Sequence, residues 1–66
     1  MNFDKDIAEK GNDIIRKFNS DFDEIELYLL DCEMWLKINC NDYVKAQHGR
    51  NELAQLRKYI IHKLRL

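Results

Sequence analysis

The chain has 66 residues, 45% of them apolar and 35% charged, with no proline, two glycines (Gly11 and Gly49) and a formal net charge of -1. This composition describes one helical domain, residues 1–66, without linkers, and its longest uninterrupted apolar run, Leu27 to Leu30, is far too short for a membrane span. A domain this short buries only about 60% of the surface its unfolded chain exposes, and its own core supplies no more than roughly 3–5 kcal/mol unless disulfides, metal or a partner subunit contribute, so self-association is expected from the outset.

The periodicity predicts a first helix from about Asp4 to Phe18. Advancing about 100° per residue brings Phe3, Ile7, Ile14 and Phe18 onto one stripe with Ile15 beside it, while Lys5, Glu9 and Lys17 form a solvated face. Gly11 lies on the apolar stripe. A glycine there costs roughly 1 kcal/mol relative to alanine, so it either permits close approach of a neighbouring helix or marks a weak point.

Asn19 and Ser20 interrupt the pattern, and Ser20 followed by Asp23 predicts an N-cap at Ser20 and a second helix running to about Ile38. Phe22, Ile25, Leu29, Cys32 and Leu36 follow steps of three and four, a heptad seam. Leu27, Leu30, Met34 and Ile38 form a second stripe on roughly the opposite side, with Tyr28 and Trp35 in the gap between the two. A helix apolar nearly all round is buried nearly all round. The first and third helices cover both stripes only by gripping this helix from opposite sides; otherwise one stripe belongs to a second subunit.

The stretch Asn39-Cys40-Asn41-Asp42 predicts the next turn, with Asn39 as a left-handed C-cap and Asn41 or Asp42 as the following N-cap. So short a connection makes an antiparallel helical hairpin. The third helix is expected from about Asp42 to Leu64 on a seam of Ala46, Gly49, Leu53, Leu56, Ile60 and Leu64, flanked by Tyr59 and Ile61. Ala46 and Gly49 suit a close backbone approach beside the turn, although Gly49 alone also suits a kink. The fold class is therefore all-α: a long antiparallel hairpin of helices two and three, with a shorter N-terminal helix packed across it.

Little in the chain suggests catalysis or metal binding. Cys32, Cys40, His48 and His62 lie eight, eight and fourteen positions apart, whereas structural zinc sites bring their ligands in close pairs, so these read as reduced half-buried thiols and surface histidines with no metal and no cofactor. There is no phosphate-binding glycine loop and no His-Glu-x-x-His. The carboxylates look like solvated helix charges, and three short helices leave little room for a concave site. The N-terminal residues lack a basic region followed by an apolar run, so the cytoplasm is the expected location.

Charge is distributed unevenly. Up to Met34 there are ten acids and four bases, a net -6, and beyond it seven bases and two acids, a net +5. Arg50, Arg57, Lys58, Lys63 and Arg65 make the third helix a candidate nucleic-acid surface. They scatter around the wheel, however, and the pI of about 6.1 opposes that reading. Phe22, Ile25, Tyr28, Leu29, Cys32, Trp35 and Leu36 make the second helix the candidate partner or dimer interface, its aromatics being favoured anchors. The acids Asp13, Asp21, Asp23, Glu24 and Asp31 offer a further surface for a basic partner.

The expectation is a small non-catalytic regulator or adaptor that forms a homodimer and binds a protein, with a dimeric nucleic-acid-binding regulator as the alternative. Isoleucine, lysine and asparagine fill 20 of the 66 positions, as in the AT-rich coding sequences that many phages, plasmids and low-GC bacteria carry; this bears on origin and not on mechanism, and the expected regulator is accordingly placed as a phage- or plasmid-derived modulator or inhibitor of a host protein.

Overall fold

The computed structural model describes residues 3–66, which form three helices: α1 Lys5–Lys17, α2 Phe22–Asn39 and α3 Tyr43–Leu64. The fold is all-α, as the periodicity requires. α2 and α3 form the antiparallel hairpin, and α1 packs across it, mainly on α3, reaching α2 where Phe18 meets Tyr28 with ring centroids 5.2 Å apart.

The helix ends show how local chemistry sets the corners. Asp4 precedes α1 without a side-chain cap bond, and Phe18 closes it. Asn19 and Ser20 then both take left-handed φ values, 52° and 62°, and the Ser20 N–H donates to the Ile15 carbonyl at 2.9 Å. Ser20 is thus occupied in turning the chain. The N-cap expected there falls instead to Asp21, whose carboxylate accepts from the Glu24 N–H at 3.3 Å.

At the other corner Asn39 is not the left-handed cap. It stays helical, its side-chain amide donating to the Trp35 carbonyl at 3.2 Å, and Cys40 ends α2 in extended backbone. Asp42 caps α3, accepting from the Val44 and Lys45 N–H groups at 3.0 and 3.2 Å. α3 runs unbroken through Gly49.

The core lies at one end of the hairpin. Its buried members are Ile25 and Leu29 from α2 and Leu56, Tyr59 and Ile60 from α3. Phe3, Ile7, Ile14, Ile15 and Phe18 of the α1 segment lie against them. Gly11 is where α1 comes nearest: a Cβ built there would stand 2.8 Å from Tyr59 Cε1 and nearer still to Cδ1, so only glycine admits the Tyr59 ring. That ring also meets Phe3 edge-on at 5.2 Å, and its hydroxyl donates to Asn12 Oδ1 at 2.7 Å.

Lengths explain what is left open. At 1.5 Å per residue, α3 is about 33 Å long and α1 only about 20 Å, in keeping with a longest dimension of 34 Å for the molecule. Because α1 crosses the hairpin near the chain termini, the half beside the Asn39–Asp42 turn is a bare helix pair. No side chain between Leu30 and Met34, or between Trp35 and Gln55, is fully buried.

Candidate functional site

The two apolar stripes of α2 meet different fates. The heptad seam expected at the partner or dimer interface goes largely to the hairpin itself: Ile25 and Leu29 are buried in the core, and Phe22, Cys32 and Leu36 are half-buried. Leu36 packs against Gly49, where a Cβ would stand 2.7 Å from Leu36 Cδ1. These five residues are held within the monomer because α3 presents its own small and branched side chains to the same face. Two members of the expected interface remain outside. Tyr28 lies at the margin under Phe18, and Trp35 is 61% exposed.

Trp35 stands on the rim of a cleft. Cys32, Trp35 and Leu36 from α2 and Gly49, Glu52, Leu53 and Leu56 from α3 line a depression of about 320 Å³, with Glu52 its only charged wall. The cleft is the continuation, toward the turn, of the groove that α1 fills at the other end. Glu52 is engaged by Lys10 of α1, which marks how far α1 reaches, and this bond raises the lysine above its ordinary pKa of 10.5. Near the rim, the Cys32 sulfur one turn away and partial burial raise the Tyr28 phenol above its ordinary value of 10.0.

The second stripe lies on the far side of α2 from the core, with Leu27 and Leu30 also walling a depression of about 610 Å³ that Arg50, Leu53, Ala54 and Arg57 of α3 share. Leu27, Leu30, Met34 and Ile38 are 62%, 50%, 50% and 72% exposed and form one continuous ridge. Asp23, Glu24 and Asp31 border it without an ion-pair partner among the described residues; Lys37 is the one base that α2 itself places beside it, and Arg50 and Arg57 of α3 lie across the depression from Leu27 and Leu30.

The basic residues of α3 divide in a way the sequence did not reveal. Arg57 donates to Glu26 Oε1 from Nε at 2.9 Å and from Nη2 at 2.5 Å, and Arg50 Nε lies 3.6 Å from Glu33. Both arginines therefore serve as cross-links between α2 and α3, on the side away from α1. Lys58, Lys63 and Arg65 are exposed. Of the five acids expected to face a basic partner, Asp13 pairs with Arg16 and Asp21 is the α2 cap, which leaves Asp23, Glu24 and Asp31.

Comparison with protein-family models, curated proteins and solved structures finds no match. The site therefore has to be judged on its own chemistry. Among the described residues no three His, Cys, Asp or Glu side chains converge as metal ligands, and no helix is long and apolar enough to cross a membrane. What the surface offers is an apolar cleft with an aromatic rim and, on another face, an apolar ridge. Exposed apolar features of this kind mark contacts with proteins or membranes, or ligand grooves.

Proposed function

We propose that the protein is a small non-catalytic regulator or adaptor that acts by binding another protein through the cleft at the turn end of the hairpin, with Trp35 as anchor. The observation that carries this reading is the exposure of Trp35, 61%, on the rim of an otherwise apolar groove that α1 is too short to fill. Tryptophan is the residue type most enriched at binding hot spots, and a neighbouring apolar pocket excludes water around it. The groove already accepts a helix at its other end, so a partner helix lying in line with α1 meets the same lining. A modulator of a host protein of phage or plasmid origin fits this size and design.

The test uses the intact chain as bait, with Trp35→Ala and Lys58→Glu/Arg65→Glu as parallel baits. A protein retained by wild type and by the charge variant, lost with Trp35→Ala and able to shield Cys32 from alkylation, supports the cleft. Retention by Trp35→Ala refutes it. The nucleic-acid alternative rests on Lys58, Lys63 and Arg65, all exposed at the end of α3. It requires binding to duplex DNA or RNA that falls steeply with salt and fails on the charge variant.

A further inference from the structure

The outward ridge of α2 plays no part in the cleft, and we infer that it is covered by the same ridge of a second copy, the two α2 helices lying antiparallel across a two-fold axis. The first ground is the pattern itself. Leu27, Leu30, Met34 and Ile38 are spaced three, four and four, nearly the same read in either direction. Turned end for end, Leu30 lies across from Met34 of the second copy and Leu27 across from its Ile38. Such self-complementarity is what a two-fold interface requires, because one patch must fit itself.

Charge fixes the direction. A parallel pairing sets the acidic first turn, with Asp23 and Glu24, beside its own copy at the positive ends of two aligned helix dipoles. The antiparallel pairing moves those acids to the opposite end and brings Lys37, the only base on α2, level with Leu27 of the second copy and within about one turn of its Asp23. It also opposes the two dipoles. One unfavourable contact remains: Asp31, which borders the ridge near the two-fold axis, faces its own copy.

Size sets the strength. The ridge spans eleven residue steps, about 16 Å of helix, so the interface is smaller than that of a typical stable complex and the dimer is weak and concentration-dependent.

Sedimentation equilibrium over a wide concentration range, at low and high salt, tests this on the whole chain. Wild type passes from 8.0 kDa to twice that mass. Met34→Lys, at a half-exposed position outside the core, keeps its helicity and stays monomeric. Asp31→Asn tightens the dimer about twofold at low salt, the effect of removing one like-charge pair, and this gain shrinks at high salt as the repulsion is screened. A nitroxide pair at Glu24→Cys in a Cys32→Ala/Cys40→Ser background reads roughly 25 Å if the helices are antiparallel.

A monomer at every concentration overturns the proposal. So does a dimer that survives Met34→Lys, a dimer lost with Trp35→Ala instead, or a label separation below about 15 Å, which marks parallel helices. The dimer face and the cleft are separate surfaces, so either proposal can fail without the other.

Discussion

Replacing Gly11 by alanine should destabilise the protein, against the intrinsic preference of the helix. In an isolated helix the substitution is favourable by about 1 kcal/mol. Here the new methyl group meets the Tyr59 ring at less than contact distance, and the helix and ring must separate by well over half an ångström. The ring cannot simply swing aside. It is 7% exposed, its hydroxyl is tied to Asn12 and it stands perpendicular to the Phe3 ring packed against it. Overpacking of this kind costs about 1–3 kcal/mol, and lifting α1 loosens its neighbouring contacts as well. The net expectation is a loss of about 1–2 kcal/mol, a fall in Tm of roughly 5–15 °C for a domain of this size. Thermal unfolding followed by far-UV circular dichroism measures it, and the double variant with Tyr59→Leu supplies the control: without the ring, Gly11→Ala should become stabilising by about 1 kcal/mol. A rise in Tm for Gly11→Ala alone would refute the docking of α1 on Tyr59.

Three further outcomes follow from the corners and the charges. Asp42→Ala removes two cap bonds and should cost about 1 kcal/mol, whereas Asp21→Ala, with one longer bond, should cost less; equal losses in urea unfolding would contradict the capping geometry. Ser20→Gly relieves a left-handed residue at a cost in unfolded-chain entropy, for a net gain of about 0.5 kcal/mol and a Tm higher by a few degrees; a lower Tm would show that the hydroxyl has a structural role. Lys10 and Tyr28 both have raised pKa values in the fold, by hydrogen bonding to Glu52 and by the nearby Cys32 respectively. In each case the group releases its proton more readily from the unfolded chain, so their contribution is complete below about pH 10 and is lost as pH rises through the folded values. Stability that climbs above that pH would contradict the sign.

The fold was largely legible because periodicity reports faces, and faces decide which helices meet. The stripe of Phe3, Ile7, Ile14 and Phe18 does lie on the core, and Gly11 is a point of close approach rather than a weak spot. The two stripes of α2 were equally plain, but the pattern alone did not determine which of them the hairpin would take. That choice depends on what α3 presents, and the Tyr59 flank proved to be a core element because α1 sits on that side. Capping was harder to read. Ser20, Asp21 and Asp23 are all competent N-caps, and the left-handed turn at Asn19 and Ser20, which has no glycine to announce it, shifts the cap by one residue. The use of Arg50 and Arg57 as links to α2 was likewise hidden, since their partners lie 17 and 31 positions away in sequence.

The uneven placement of the core has a dynamic consequence that bears on both proposed surfaces. Near the termini three helices enclose Ile25, Leu29, Leu56, Tyr59 and Ile60, so opening that end amounts to unfolding the domain. Beside the turn two helices are held by Leu36 on Gly49, the Asp42 cap and the Arg50–Glu33 pair, with Trp35, Ile38, Tyr43 and Val44 all in solvent. Amides of Trp35 to Asn39 and of Ala46 to Arg50 should therefore exchange by local opening, while those of Leu29 and Leu56 to Ile60 exchange only through global unfolding. Hydrogen exchange under native conditions distinguishes the two, and uniform protection along α3 would refute the division. A partner that fills the cleft covers the weaker half, so its binding should slow exchange at the turn end first, well before it alters the core.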